Sequence, residues 1–132
     1  MNAAYRRAQR VERRRLRGRV AHVQGHRAEW VAALWLMLKG YRILGFRLRT
    51  PFGEVDLLAR RGGVLAVVEV KLRPTLDEAL AAVTPEQADR LAAAAKAVAA
   101  RPALRGLRLR GDIVALAPGR LPRHRLGAWS SP

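Results

Sequence analysis

The sequence predicts an α/β or α+β layer fold built as a single domain. Three observations predict it. A helix-forming apolar run, Trp30 to Leu38, is followed by three strand-like runs with turn residues between them. An alanine-rich run opening at Thr84-Pro85 then reads as a second helix. A last strand-like run, Leu107 to Ala117, completes the order helix, three strands, helix, strand. At 132 residues, 50% of them hydrophobic, the chain can bury one core and is short for two.

Each element follows from local chemistry. Residues 1–24 carry Arg6, Arg7, Arg10, Arg13, Arg14, Arg15, Arg17 and Arg19 against the single acid Glu12. Their few apolar side chains cannot support a core, which predicts a flexible basic arm ahead of a domain over 25–132. A solvated extension without a role is the plain alternative. From Arg27 to Lys39 the sequence is apolar on nearly every helical face, which predicts a buried helix with Trp30 and Trp35 in the core, stopped at Gly40. Tyr41 to Arg49 reads as a strand, and Pro51 and Gly53 mark a turn. Glu54 to Arg60 reads as a second strand. The pair Gly62-Gly63 makes a tight turn into a third, Val64 to Lys71, which is apolar on both faces and so belongs in the middle of a sheet. The second helix has Thr84 as its cap and Pro85 at its first position, and stops before Pro102. A Pro/Gly/Arg-rich tail follows the last strand.

Charge narrows the partners. Lys and Arg number 26 against 10 Asp and Glu, a formal net charge of +16, and 23 of the 26 are Arg. So large an excess repels itself unless a polyanion screens it, and arginine's planar fork suits phosphate. Nucleic acid is therefore expected, DNA ahead of RNA. An anionic membrane surface ranks lower, because no basic helix with a clean apolar face is present. The absence of cysteine excludes disulfides, thiolate metal sites and cysteine nucleophiles. The Trp30–Leu38 run is too short to span a bilayer, which takes about 20 residues. It is preceded by Glu29 and followed by Lys39-Gly40-Tyr41 rather than a small-residue cleavage site, so a cytoplasmic protein is expected.

In so basic a chain the acids are informative. Glu54 and Asp56 are two apart on a strand and share a face, as do Glu69 and Lys71 on the next. The short Gly62-Gly63 turn makes these strands antiparallel neighbours, so Asp56 and Glu69 can face each other. Carboxylates within an apolar strand are costly unless they are paired or bind a metal, and two on adjacent strands suit Mg²⁺, which keeps waters and takes substrate phosphate. The plain alternative is a pair of sheet-surface salt bridges.

These residues also carry a resemblance. Gly53-Glu54-Val55-Asp56-Leu57-Leu58-Ala59, followed by Val68-Glu69-Val70-Lys71-Leu72-Arg73, resembles the YraN family of small bacterial proteins, and through it the restriction-endonuclease-like, or PD-(D/E)xK, nuclease superfamily. Ala28-Glu29, Gly40 to Leu44, Thr84 to Gln87, Gly111 to Val114 and Pro122 to His124 extend the likeness over roughly residues 25–129. Val55 stands where the superfamily's name has proline, and Val67 and Gly111 where relatives often carry phenylalanine; none of these removes a proposed catalytic group.

The resemblance implies a three-layer fold with a central mixed sheet of four to five strands flanked by helices. It implies that Asp56 and Glu69 are ligands of Mg²⁺ or Mn²⁺, with Glu29 a further metal-side acid aimed from the first helix. Lys71 becomes the catalytic lysine, and Gln87 a polar contact near the metal or phosphate. Many nucleases of this fold act as dimers to cut two strands, which makes a homodimer a possible further partner. The function expected is metal-dependent endonucleolytic cleavage. The alternative is a nuclease-fold protein that binds nucleic acid as an assembly factor without cutting it.

Other residues carry less. His22 and His26 have helical metal spacing without a third ligand. His124 lies among Arg120, Arg123 and Arg125, either on phosphate or in a surface tail. Asp112 is expected to pair with an arginine, and Trp129 to anchor packing. Ser130 and Ser131 lack a base partner.

Overall fold

The structure, a computed structural model, describes residues 3–4 and 26–129. The expected basic arm lies outside the described residues apart from Ala3 and Ala4, as do His22, Ser130 and Ser131. Helix α1 covers 26–38. Strands β1 (Arg42–Thr50), β2 (Gly53–Arg61) and β3 (Val64–Leu72) follow. A short helix α2 (Leu76–Leu80) and the long α3 (Pro85–Ala99) lead to β4 (Arg108–Leu116) and the short β5 (Arg123–Arg125). The five strands form one sheet in the order β1-β2-β3-β4-β5; β3 and β4 are parallel and every other pair is antiparallel. The parallel pair requires a crossover, and α2 and α3 supply it.

Alternation along β3 sorts the core into two layers. Leu65 and Val67 pack toward α3 with Leu91, Ala94, Ala95 and Val98, while Ala66 and Val68 pack toward α1 with Ala32, Ala33 and Leu36. All four β3 side chains are buried, as expected of a central strand. The architecture is therefore an α/β fold with a mixed sheet between helical layers. Thr84 caps α3 as the sequence predicts: its hydroxyl accepts from the Gln87 N–H and the Gln87 side chain accepts from the Thr84 N–H, a reciprocal capping box with Pro85 just inside.

The first helix departs from expectation. Only Ala32, Ala33, Leu36 and Glu29 are buried, whereas Trp30, Val31, Leu34, Met37 and Leu38 are exposed, Leu38 at 83%. Burial of the whole helix is corrected: small residues seat α1 on the sheet, and no layer of described residues covers its far side. Trp30 is not a core residue; it lies over Phe46 with ring centroids 4.8 Å apart. Trp35 is half-buried.

The tail is more ordered than its composition suggests. Trp129 is buried, its indole N–H donating to the Asp112 carbonyl at 2.9 Å, and its ring lies against Gly111. A β-carbon at Gly111 would meet ring atoms at 2.6–2.7 Å, closer than atoms can pack, so glycine is required for this seat. Gly111→Ala is expected to lower stability by about 1–3 kcal/mol in denaturant unfolding. Combined with Trp129→Leu, it should cost less than the sum of the two single changes, because both act on one contact.

Candidate active site

The β2–β3 ladder pairs Leu57 with Val68 and continues to Arg61 and Val64 at the turn. Extending that register by one residue sets Asp56 opposite Glu69, but the ladder ends before them. Instead the Asp56 side chain accepts a hydrogen bond from the Val70 N–H at 2.8 Å, replacing a backbone carbonyl. This holds the Asp56 carboxyl within hydrogen-bonding reach of Glu69. Lys71, two residues on and on the same face, brings Nζ to 3.3 Å from Glu69 Oε1. The Glu69 and Lys71 side chains are only 15% and 12% exposed, so all three groups meet at a largely dry place on the sheet.

The electrostatics follow from burial. Desolvation raises the Glu69 carboxyl, the adjacent Asp56 raises it further, and Lys71 opposes both; the result is about 7. Asp56 is also raised, by burial first, against the lowering effect of the Val70 N–H, Glu69 and Lys71. Two neighbouring carboxyls of this kind titrate as a pair, and a cation binding to both would displace the proton they hold. As hard oxygen donors close together, Asp56 and Glu69 fit Mg²⁺ or Mn²⁺ better than any soft metal.

Glu29 reaches toward this place from α1 on the other side of the sheet. It is buried and ion-paired with Arg47, near enough to Asp56 and Glu54 to feel their charge; burial is the main cause of its raised carboxyl. Arg47 takes a left-handed backbone conformation, φ 47°, at the point where the β1–β2 ladder passes from Phe46–Leu57 to Leu48–Val55. The proposed ligands Asp56, Glu69 and Glu29 are thus not brought into one cluster. No group of three or more His, Cys, Asp or Glu able to hold a metal occurs among the described residues. Gln87 does come near, lining a cavity of about 80 Å³ beside Glu69, but its side-chain oxygen is already held by the α3 cap.

Two partners escape the sequence reading. Arg47 pairs with Glu29, and Arg90 joins Phe52, Glu54 and Gln87 around the cavity. A buried acid in an arginine-rich chain signals that some base must meet it, but not which one. A larger cavity, about 420 Å³, lies between Arg27, Val31, Leu72, Leu116, Arg120 and neighbouring residues and includes none of the five candidate site residues.

A second buried acid behaves differently. Asp112 is fully buried and accepts from Arg110 at 2.8 Å, from His124 Nε2 at 2.8 Å and from the Gly127 N–H at 3.0 Å. Burial pushes its carboxyl up, but the bonds from His124, Arg110 and Gly127 outweigh burial and hold it below its ordinary value. Lys39 Nζ lies 2.6 Å from His124 Nδ1 and can only donate, so the imidazole Nε2–H is the one that donates to Asp112. The expected Asp112–arginine pair is present. The surface or phosphate-facing His124 is corrected: its side chain is 1% exposed and ties β5 to β4.

The comparisons add kinship. The sequence profile of the family described as "Uncharacterised protein family UPF0102" matches residues 28–116. A UPF0102 protein of Caulobacter sp. (strain K31) is 60% identical over 124 residues, covering 93% of this chain and 89% of its own length. One from Caulobacter vibrioides (strain NA1000 / CB15N) is 62% identical over 117 residues, 88% of this chain and 94% of its own. A third, from Maricaulis maris (strain MCS10), is 49% identical over 112 residues, 84% and 88%. With most of α1, the carboxylate pair and all of β4 inside the matched region, the chain belongs to the UPF0102 family.

Proposed function

We propose that this protein is a metal-dependent nuclease of the restriction-endonuclease-like class, acting on nucleic acid in the cytoplasm. One observation carries the reading: Asp56 and Glu69 meet at the end of the β2–β3 ladder with Lys71 3.3 Å from Glu69. Two carboxyls and a lysine, largely buried in a chain of net charge +16, are poor neighbours for structure alone and apt ones for phosphodiester hydrolysis. Asp56 and Glu69 would hold Mg²⁺ or Mn²⁺, which would supply Lewis acidity toward water and a phosphate oxygen. The residues do the rest. Lys71 would orient the attacking water or donate to the negative charge that builds on the non-bridging phosphate oxygens. That charge builds as the water oxygen bonds to phosphorus and the P–O bond to the sugar breaks, the proton lost by the water reaching the departing sugar oxygen by way of solvent. Glu29, held by Arg47, adds negative field behind Asp56, and the α3 cap carries Gln87 and Arg90 to the rim.

The decisive experiment is divalent-ion titration on linear and branched DNA and RNA. Wild-type protein is expected to cleave only with Mg²⁺ or Mn²⁺, and Asp56→Ala and Glu69→Gln to fall to background. Glu69→Gln keeps the volume while removing a repulsive charge, so nucleic-acid binding should persist or tighten. Lys71→Ala should lower turnover by about a hundredfold or more. Binding without cleavage on every substrate would replace the enzyme with a nuclease-fold binding protein.

A pH prediction comes from the dyad. The Glu69 carboxyl sits near 7 when folded against an ordinary 4.5, so between those values the folded protein holds a proton that the unfolded chain has lost. Its stabilising contribution is therefore complete below pH 4.5 and disappears as pH rises through 7. Metal-free Glu69→Gln should be the more stable protein at about pH 8, by about 3 kcal/mol at most. Mg²⁺ should raise the melting temperature of wild type there and leave the variant unmoved.

The arm gives a third expectation. If its eight arginines lie on phosphates, deleting residues 1–20 flattens the plot of log affinity against log salt, at about 0.9 per phosphate contact on duplex DNA. The loss should be the same for all sequences, and turnover at saturating substrate should survive.

A further inference from the structure

The cavity beside Glu69 carries features that two carboxylates and a lysine do not use. It holds about 80 Å³, with Phe52 and Glu54 at the β1–β2 hairpin on one side and Gln87 and Arg90 of α3 on the other. That volume takes a phosphoryl group with a water or two, not a nucleobase. Phe52 is 53% exposed, a large aromatic left facing solvent. Its place is fixed: Thr50 pairs with Gly53 across a two-residue turn, the Phe52 N–H donates to Thr50 Oγ1 at 3.1 Å, and Thr50 Oγ1 donates to the Gly53 carbonyl at 2.7 Å. Gly53 has φ 132°, a conformation glycine adopts readily. Arg90 lies three residues beyond Gln87 on α3, on the same side of the helix, and no ion pair engages it among the described residues.

We propose that this cavity is a nucleotide subsite in which Arg90 takes a backbone phosphate and Phe52 stacks one unpaired base, making single-stranded or frayed nucleic acid the preferred substrate. The inference rests on the nuclease reading and names its substrate class. Each part follows from chemistry. The guanidinium fork matches phosphate oxygens two at a time, and it offsets the repulsion that Glu54 and Glu69 would exert on an anion entering alone. An aromatic ring beside a phosphate site offers its face to a base, and every base has a π-face, so contact of this kind is indifferent to sequence. Within a duplex the base faces are covered by their neighbours in the stack. A ring at the tip of a tight hairpin reaches only a base that has left the stack or never had a partner.

The test is anisotropy of labelled oligonucleotides with full-length protein in metal-free buffer, comparing a thymine-only single strand with a duplex of equal length at matched salt. Wild type is expected to favour the single strand. Phe52→Ala and Phe52→Leu should weaken single-strand binding by about five- to a hundredfold and leave the duplex unchanged, while Phe52→Trp keeps the preference. Phe52 is exposed, so melting temperatures should not move. Arg90→Ala should weaken binding to the single strand, with Arg90→Lys restoring it only in part. In cleavage assays Phe52→Ala should raise KM with kcat kept. An unchanged strand preference in Phe52→Ala and Phe52→Leu overturns the subsite, even where Glu69→Gln shows the protein to be a nuclease. A preference lost in those variants, with no cleavage in any metal, keeps the subsite and overturns the nuclease reading instead.

Discussion

The hydrogen bond from the Val70 N–H to the Asp56 carboxylate, 2.8 Å long, is the constraint on which the candidate site depends. A backbone N–H at the end of a ladder must find an acceptor, and here the acceptor is a side chain. With it, β2 parts from β3 without leaving an orphaned donor, and the carboxyl that closes the ladder is delivered beside Glu69 instead of pointing into solvent. Across the other ladder, Arg47 sits in the left-handed region, a conformation that costs a non-glycine residue about 1 kcal/mol or more, and pairs with Glu29. Sheet geometry and charge placement are thus one arrangement. Changing the acceptor at Asp56 alters both.

Two buried carboxylate environments in the same sheet show what full satisfaction looks like and what its absence implies. Asp112 receives two basic side chains and a backbone N–H, and its carboxyl falls below the ordinary value. Glu69 has one lysine and a second acid for company, and rises to about 7. The first arrangement locks the C-terminal segment to β4, with Trp129 seated on Gly111. The second leaves two buried carboxyls with one basic side chain between them. Local rules are usually broken where a protein binds or reacts, and within this sheet the dyad is the place where they are broken.

Much of this was legible because it depends on spacing. The Gly62-Gly63 turn with alternation on either side sets the β2–β3 register, and extending it one pair past Leu57–Val68 points Asp56 toward Glu69, although the ladder itself stops there. The cap at Thr84 and the central β3 are local patterns of the same kind. What stayed hidden depends on tertiary partners. An apolar stripe at Trp30, Val31, Leu34, Met37 and Leu38 reads as core, because periodicity does not say whether a second layer exists to cover it. Strand β5 is Arg-His-Arg, without apolar alternation, and is a strand only because β4 offers it an edge. Helix α2 is five residues long, too short for a periodic pattern, although Thr75 caps it and Asp77 and Glu78 favour its first turn. No rule of sequence places Arg47 in the left-handed region.

The charge distribution sets a condition on the proposed chemistry. A chain of +16 draws a polyanion from a distance, and this attraction is blind to position along the surface. Glu54 and Glu69 at the cavity, with Asp56 behind them and Glu29 adding its field, oppose the approach of phosphate at the one place where hydrolysis is proposed. Lys71, Arg90 and Arg47 supply three positive charges against these four acids, and Lys71 and Arg47 are already engaged, by Glu69 and Glu29. On the proposed chemistry a divalent cation would reverse the local sign, converting a site that repels phosphate into one that holds it. Without the ion, on that chemistry, nucleic acid would be held by the basic surface and by Arg90 and Phe52 at the cavity, with its phosphate kept off the Asp56–Glu69 pair. With it, the acids would become a point of contact, so that on this proposal binding strength and position would be governed separately, the first by arginine and salt, the second by the metal.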